Sequence, residues 1–301
     1  MRGEALNSIA GGVRGALLVV ATPIGNLGDL SPRARDVLAS ADLLLAEDTR
    51  HTRQLLAAFA IERDPGTVES LHEHNERARV PAIVERLESG ARIALVSDAG
   101  SPLVSDPGAL LVRAATAAGI DVITVPGPCA AIAALSIAAL PADRFAFEGF
   151  LASRPAARRR ALEALASDTR TLVFYEAPHR LRESLADLAA VLGEHRAATV
   201  ARELTKRFET VYRGTLGSLA RQCTEDPDMT RGEIVIVVQG SDEESPKNVL
   251  DVDRLLRTLL QELPVAQASR LAAKLTGHAR RELYDRALAL RERSGPASAD
   301  E

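Results

Sequence analysis

Between Leu17 and about Leu140 short apolar runs alternate with amphipathic segments, and this alternation restricts the fold more than any other feature of the chain. Leu17–Ala21, Leu43–Ala46, Ile93–Ser97 and Val122–Val125 read as strands, with Val68–Leu71 a weaker one. Pro32–Ser40, Thr52–Phe59, Asn75–Glu88, Leu110–Ala118 and Ala130–Ala139 carry helical spacing. Strands separated by helices of this length build βαβ units, so a mostly parallel, doubly wound α/β sheet is expected. Ser31 before Pro32 is a sound helix start, a capping hydroxyl followed by a residue that needs no N–H partner.

A second α/β domain is expected to begin near Pro141-Ala142-Asp143. Its strands are Phe145–Leu151, Thr171–Tyr175, Ala198–Arg202, Thr210–Tyr212 and Ile234–Val238, and its helices Ala156–Ala166, His179–Leu192 and Leu216–Gln222. Two consecutive strands without a helix between them imply a mixed sheet. The acidic stretch Ser241–Asn248 reads as a linker. Beyond it lie helical segments Val252–Glu262, Val265–Leu275 and Ala279–Arg293, and the last residues, Ser294–Glu301, read as frayed. The expected division is therefore 1–140, 141–241 and a small helical domain over 249–293. A length of 301 residues agrees with two domains and an appendage.

The chain is 46 % hydrophobic, yet its longest apolar run, Ala130–Leu140, is far short of a membrane span. The apolar stretch Ala16–Val20 is too short for a signal peptide. Cys129 and Cys223 are the only cysteines and form no CxxC pattern, which argues against a disulfide scaffold or a structural zinc site and for a cytoplasmic protein.

Three loops after predicted strands share one grammar of small, acidic and proline residues. They are Thr22-Pro23-Ile24-Gly25-Asn26-Leu27-Gly28-Asp29, the stretch from Ser97 to Gly108, and Val125-Pro126-Gly127-Pro128-Cys129-Ala130. In open α/β sheets the carboxyl edge of the strands is where ligands bind, so three such loops predict a small-molecule cleft. The first is not a GxGxxG fingerprint and no P-loop lysine follows it, which disfavours phosphate cradling. Asp106, before Pro107, reads either as a helix N-cap or as a ligand group, while Asp98 at a strand end is harder to explain as a cap. Gly127-Pro128 leaves free N–H groups at a helix start, suited to a carboxylate.

Two further motifs close strands and open helices: Glu47-Asp48-Thr49-Arg50-His51-Thr52, and Tyr175-Glu176-Ala177-Pro178-His179-Arg180. Each reads as a capped, charged helix start or as a functional cluster. Lys206, Lys247 and Lys274 are the only lysines among 37 basic residues, and Lys206 reads either as chance usage or as a required compact ammonium. His72 and His74 lack an evident third metal ligand. Net charge is −4, but unevenly spread: residues 1–135 hold 12 Lys and Arg against 16 Asp and Glu, 136–240 hold 15 against 14, and 255–291 hold 7 against 3. A polyanion would therefore meet local patches. Aromatics at 3 % are too few for broad base stacking.

Together with Ala201-Arg202-Glu203-Leu204-Thr205-Lys206, these motifs closely resemble, in order from about Leu17 to Gly240, the 16S rRNA cytidine 2′-O-methyltransferases of the tetrapyrrole-methylase superfamily. The helical tail is similar to that family's C-terminal domain. The resemblance implies S-adenosylmethionine (SAM) bound in a cleft between two α/β domains, and methylation of a cytidine ribose (cytidine 1402) in 16S rRNA of the 30S subunit, supporting decoding fidelity. It also implies a homodimer. Carried over loop by loop, it sets SAM against Pro23, Asp98, Ala99, Gly100, Ser101, Pro102, Ser105, Asp106, Pro126, Gly127, Pro128, Cys129, Ala130 and Ala131, with Phe150, Tyr175 and Glu176 from the second domain.

Transfer to a ribose hydroxyl needs alignment and help in losing the proton, for which Glu47, Glu176, Glu203 and Lys206 are the candidates. Arg50, Arg53, Arg158 and Arg159 are candidates for holding RNA, as are Arg280 and Arg281 of the tail. Two other readings stay open. One keeps the fold and makes the acceptor a tetrapyrrole or another small molecule; the other is a SAM-sensing or RNA-binding protein without turnover.

Overall fold

The computed structural model describes residues 15–241 and 252–293. All but the first residue of the expected linker, and all of the tail expected to fray, lie outside these residues. The chain falls into two compact units divided after Ser241.

In the first unit, β1 (Ala16–Val20), β2 (Leu43–Ala46), β3 (Val68–Ser70), β4 (Arg92–Val96) and β5 (Asp121–Val125) form a five-stranded sheet in the order β3-β2-β4-β1-β5. Every pair is parallel. The inner strands β1, β2 and β4 are almost wholly apolar because helices cover both faces. One face packs Val20, Leu38, Leu44 and Val96, the other Leu17, Leu45, Leu87, Ile93 and Leu111. The covering helices are α1 (Pro32–Ser40), α2 (Thr49–Ala58), α3 (Glu73–Glu88) and α4 (Ala109–Ala117). The Ser31 hydroxyl caps α1 by accepting from Ala34 N–H at 3.0 Å, as expected. Helix α2 starts three residues earlier than the periodicity suggests, because Asp48 caps it.

The second sheet is mixed, as expected: β6 (Phe145–Phe150), β7 (Thr171–Glu176), β10 (Ile234–Val238), β8 (Ala197–Arg202) and β9 (Thr210–Thr215), in that spatial order. Only β6 and β7 run parallel. Strand β9 outlasts its apolar pattern because it pairs with β8 along its full length. Helices α6 (Pro155–Leu165), α7 (Leu181–Leu192) and α8 (Leu216–Glu225) cover one face.

The other face is covered by α5 (Ala130–Ile137), which belongs in sequence to the first half. Its Ala131, Ala134 and Leu135 pack with Val173, Ala201, Val235 and Val237 of the second sheet and with Ile24 of the first loop. This explains why α5 is apolar nearly all round. The two halves consequently share a core.

In the second unit, α9 (Val252–Glu262), α10 (Val265–Thr276) and α11 (Arg280–Arg293) enclose Leu256, Ala272, Leu283 and Ala287.

Candidate active site

All five strands of the first sheet run the same way, so their following loops gather at one edge. Hydrogen bonds lace three of these loops together. Thr22 N–H donates to Gly100 O at 2.8 Å and Gly100 N–H to Thr22 O at 3.1 Å. The Ser97 hydroxyl donates to Gly100 O at 3.0 Å, and the Ser101 hydroxyl to Pro128 O at 3.0 Å. Gly100 sits at φ +85°, where a Cβ would lie 3.2 Å from Ile24 Cγ2. A side chain there would be strained and would press the loops apart.

The laced loops form one wall of a cavity of about 390 Å³. Asp98 to Ser101, Ser105, Asp106, Cys129 and Ala130 line it from the first half, with Phe150, Tyr175 and Glu176 from the second. Six other residues expected there do not. Pro102 is buried, and Pro126 and Gly127 are exposed at the surface. Pro23 does not reach the lining, and Pro128 contributes its carbonyl to Ser101. Ala131 is buried, and its N–H donates to the Tyr175 hydroxyl at 3.2 Å. Ile24, Val104, Ala177, Pro178, Leu204 and the segment Gly232–Val235 complete the lining. Ile24, Val104, Ala177, Pro178 and Leu204 lie within motifs the sequence marked, whereas nothing in the sequence marked Gly232–Val235 as site residues, which only folding brings to the same space.

Tyr175 anchors the second wall. Its ring lies edge-on to Phe147 at 4.8 Å and to Phe150 at 5.6 Å between centroids. Burial, reinforced by neighbouring Cys129, raises the phenol so that it stays protonated. Phe150 remains exposed, an apolar face for a flat ring.

The acidic groups divide by role. Asp106 does not cap α4: Glu76 of α3 does, its Oε1 accepting from Leu110 N–H at 2.9 Å and Leu111 N–H at 3.1 Å. Asp106 instead faces the cavity, and burial, followed by the charge of Glu47, pushes its carboxyl up to about 6. Glu47 is raised as well, first by burial and then by Asp98. Because Glu76 is itself buried and serves two N–H groups, Glu76→Ala is expected to cost about 1–3 kcal/mol, read as a lowered urea midpoint, while Glu76→Gln keeps most of the cap.

Three expected roles change in the folded chain. Glu176 cannot serve as a mobile base: its side chain is fully buried, paired with Arg180 at 3.3 Å and bonded to the Ser184 hydroxyl. Lys206 lies between Glu203 at 2.9 Å and Glu233 at 2.8 Å. Burial opposes its charge, but the two carboxylates prevail and raise its pKa, so it acts as a fixed cation. Glu203 is lowered correspondingly: burial would raise it, but hydrogen bonds from Lys206 and Glu233 N–H prevail. The Lys206 stem crosses the first loop, where a Cβ on Gly25 would collide with its Cγ. Arg158 is 1 % exposed and bonded to Asp187 at 2.7 Å, so it is a core residue and not an RNA contact.

Arg50, Arg53, Arg159, Arg280 and Arg281 are exposed. Arg50 is 82 % exposed at its side chain and paired with Asp48, whose carboxyl its hydrogen bonds hold well below the usual range.

The sequence pattern of the tetrapyrrole (corrin/porphyrin) methylases matches residues 16–220, and that of the RsmI C-terminal HTH domain matches residues 248–291. The chain is 55 % identical over 270 residues to the ribosomal RNA small subunit methyltransferase I of Xylella fastidiosa strain Temecula1, spanning 90 % of this chain and 98 % of that one. It is 47 % identical to the protein of the same name from Escherichia coli O157:H7, across 91 % of this chain and 95 % of the other. The chain belongs to the tetrapyrrole methylase family.

Among solved structures, the methyltransferase CobJ superposes with a TM-score of 0.56 at 21 % identity over 75 % of this chain and 95 % of its own. Diphthine synthase gives 0.54 at 15 %, over 75 % and 90 %. Both share the fold. Tetrapyrrole methylases use SAM as methyl donor, and the cavity suits such a group. Its volume is in the range of small-molecule sites, its second wall is aromatic, and Asp106 offers a half-buried carboxylate that a cationic sulfonium would stabilise. The N-cap residue of α5 makes no side-chain cap, so apart from Ala131 N–H, which the Tyr175 hydroxyl takes, its first amides suit an anionic end. Among the described residues no helix is long and apolar enough to cross a membrane.

Proposed function

We propose that this protein methylates the 2′-hydroxyl of a cytidine in small-subunit ribosomal RNA, using SAM held in the cavity between the two sheets. One observation carries the reading: 55 % identity over 90 % of the chain to a ribosomal RNA small subunit methyltransferase I. Bound SAM supplies an electrophilic methyl group. The residues do the rest. Asp106 balances positive charge, Tyr175 and Phe150 wall the cavity against water, and the α5 amides hold a carboxylate. Exposed Arg50 and Arg53 at the start of α2 hold the RNA backbone, with Arg159, Arg280 and Arg281 as further phosphate contacts.

The substrate is taken to be the assembled 30S subunit in the cytoplasm, and the enzyme a homodimer. Labelled SAM offered with unmethylated 30S subunits, free 16S rRNA and a tetrapyrrole is expected to label the ribosomal RNA at a ribose oxygen. Label only in the tetrapyrrole would reverse the substrate assignment; label in none would leave a binding protein without turnover.

A further inference from the structure

His51 stands in α2, one turn from the end of β2, and its Nδ1 is 3.0 Å from Asp98 Oδ2. The other oxygen of Asp98 accepts from Asp48 N–H at 3.0 Å. Both carboxylate oxygens are thus committed to the loop that carries His51, although Asp98 itself lines the cavity. A carboxylate on one ring nitrogen fixes the tautomer, placing the proton on Nδ1 and leaving a lone pair on Nε2. The His51 side chain is 58 % exposed and that of Asp98 31 %, so the ring stands on the solvent side of its partner.

We propose that His51 is the catalytic base of the methyl transfer and that Asp98 is its positioning residue. This rests on the reading of the chain as a ribose methyltransferase. A large RNA acceptor reaches the cavity from solvent, and an exposed imidazole beside the cavity wall is placed to meet its hydroxyl. Of the four candidates, Glu176 is buried and paired and Lys206 and Glu203 are bonded to each other, while Glu47 has no partner that fixes it as Asp98 fixes His51.

In the step, Nε2 takes the proton as the O2′–H bond breaks. O2′ bonds to the methyl carbon as the carbon–sulfur bond breaks, and the sulfonium becomes a neutral thioether. The imidazolium, stabilised by Asp98, then passes its proton to water. Asp98 from the opposite loop bonds the ring, and Asp48 from its own segment acts on it through charge. Arg50 is paired with Asp48.

The test compares wild type, His51→Gln and Asp98→Asn on 30S subunits. His51→Gln is expected to lower kcat about 10²–10⁴-fold, with KM for the subunit and donor affinity by calorimetry within about threefold. The acid limb of the wild-type kcat profile is expected to vanish in His51→Gln. Asp98→Asn keeps the acceptor for Asp48 N–H, and ¹⁵N NMR of its His51 ring is expected to show a changed tautomer balance. Retention of a third or more of wild-type kcat by His51→Gln overturns the proposal. So does an unchanged pH profile, or a loss confined to donor affinity. A wild-type protein that labels no RNA overturns the underlying reading, and this one with it.

Discussion

Asp187→Ala is expected to destabilise the first unit by about 3–5 kcal/mol, a large part of the roughly 5–15 kcal/mol that stabilises an ordinary domain. Asp187 and Arg158 are both almost fully buried, 4 % and 1 % exposed, and meet at 2.7 Å. Arg159 reaches the other oxygen at 2.7 Å from the exposed side of α6. Removing the carboxylate leaves the buried guanidinium between α6 and α7 with only Glu183, at 3.5 Å, as an ionic partner. The comparison that isolates this cause is the double replacement Arg158→Met with Asp187→Leu. Substituting the pair by apolar groups of similar volume is expected to recover most of the loss, because the desolvation cost of both charges disappears. Urea midpoints followed by circular dichroism read both effects. A double variant no more stable than the single one would show that the pair supplies something beyond charge balance. Burial acts to raise the Asp187 carboxyl, but its bonds to Arg159 and Arg158 lower it overall. Its contribution is therefore present above the ordinary carboxylate range and is lost as pH falls through the depressed value.

Asp106→Asn is expected to separate stability from donor binding in opposite directions. Burial first, then Glu47, holds the Asp106 carboxyl at about 6 instead of the ordinary 3.8. A folded-state value above the unfolded one means that folding is favoured while the group is protonated. That advantage is full below 3.8 and fades as pH rises through about 6. At pH 8 the wild type carries the cost of a half-buried charge, which Asn removes. After allowance for solvent screening, the variant is expected to be about 1–2 kcal/mol more stable than wild type at pH 8 and equal to it near pH 4. Its affinity for SAM is expected to fall about tenfold or more at pH 8, because the charge that costs stability is the one that faces a sulfonium. Thermal melts across pH and calorimetric titration with SAM check the two halves. A variant with unchanged melting at pH 8 and unchanged affinity would remove Asp106 from the site.

The strand-helix alternation gave the parallel first sheet because its inner strands are buried on both faces, and such burial leaves a continuous apolar run in the sequence. The mixed second sheet was legible for a related reason: Ala198–Arg202 and Thr210–Tyr212 follow one another with no helix between them. The loops of the site were equally legible, since Asp98, Gly100 and Pro128 stand just past strand ends in runs of small, acidic and proline residues. Helix starts were less so. The periodicity of α2 begins only at Thr52, and the cap at Asp48 is read from the backbone it satisfies.

Charged side chains were the least legible. Arg158, Arg159 and Arg160 are one basic run in the sequence, yet α6 turns the first into the core and leaves the second at the surface. Asp98 and Asp106, eight residues apart in one loop, also differ in their partners. Both line the cavity, but the first is bonded to His51, while a glutamate some thirty residues away takes the capping role that Asp106 suggested.

The sequence by itself determined the βαβ order, the mixed second sheet, the three loops and the family, since each rests on local pattern or on motifs read in order. Only the tertiary structure decided which carboxylate serves which purpose. Burial and pairing depend on which neighbours the fold brings within about 3 Å, and those neighbours lie tens of residues away along the chain. The dyad of His51 and Asp98 joins residues 47 apart.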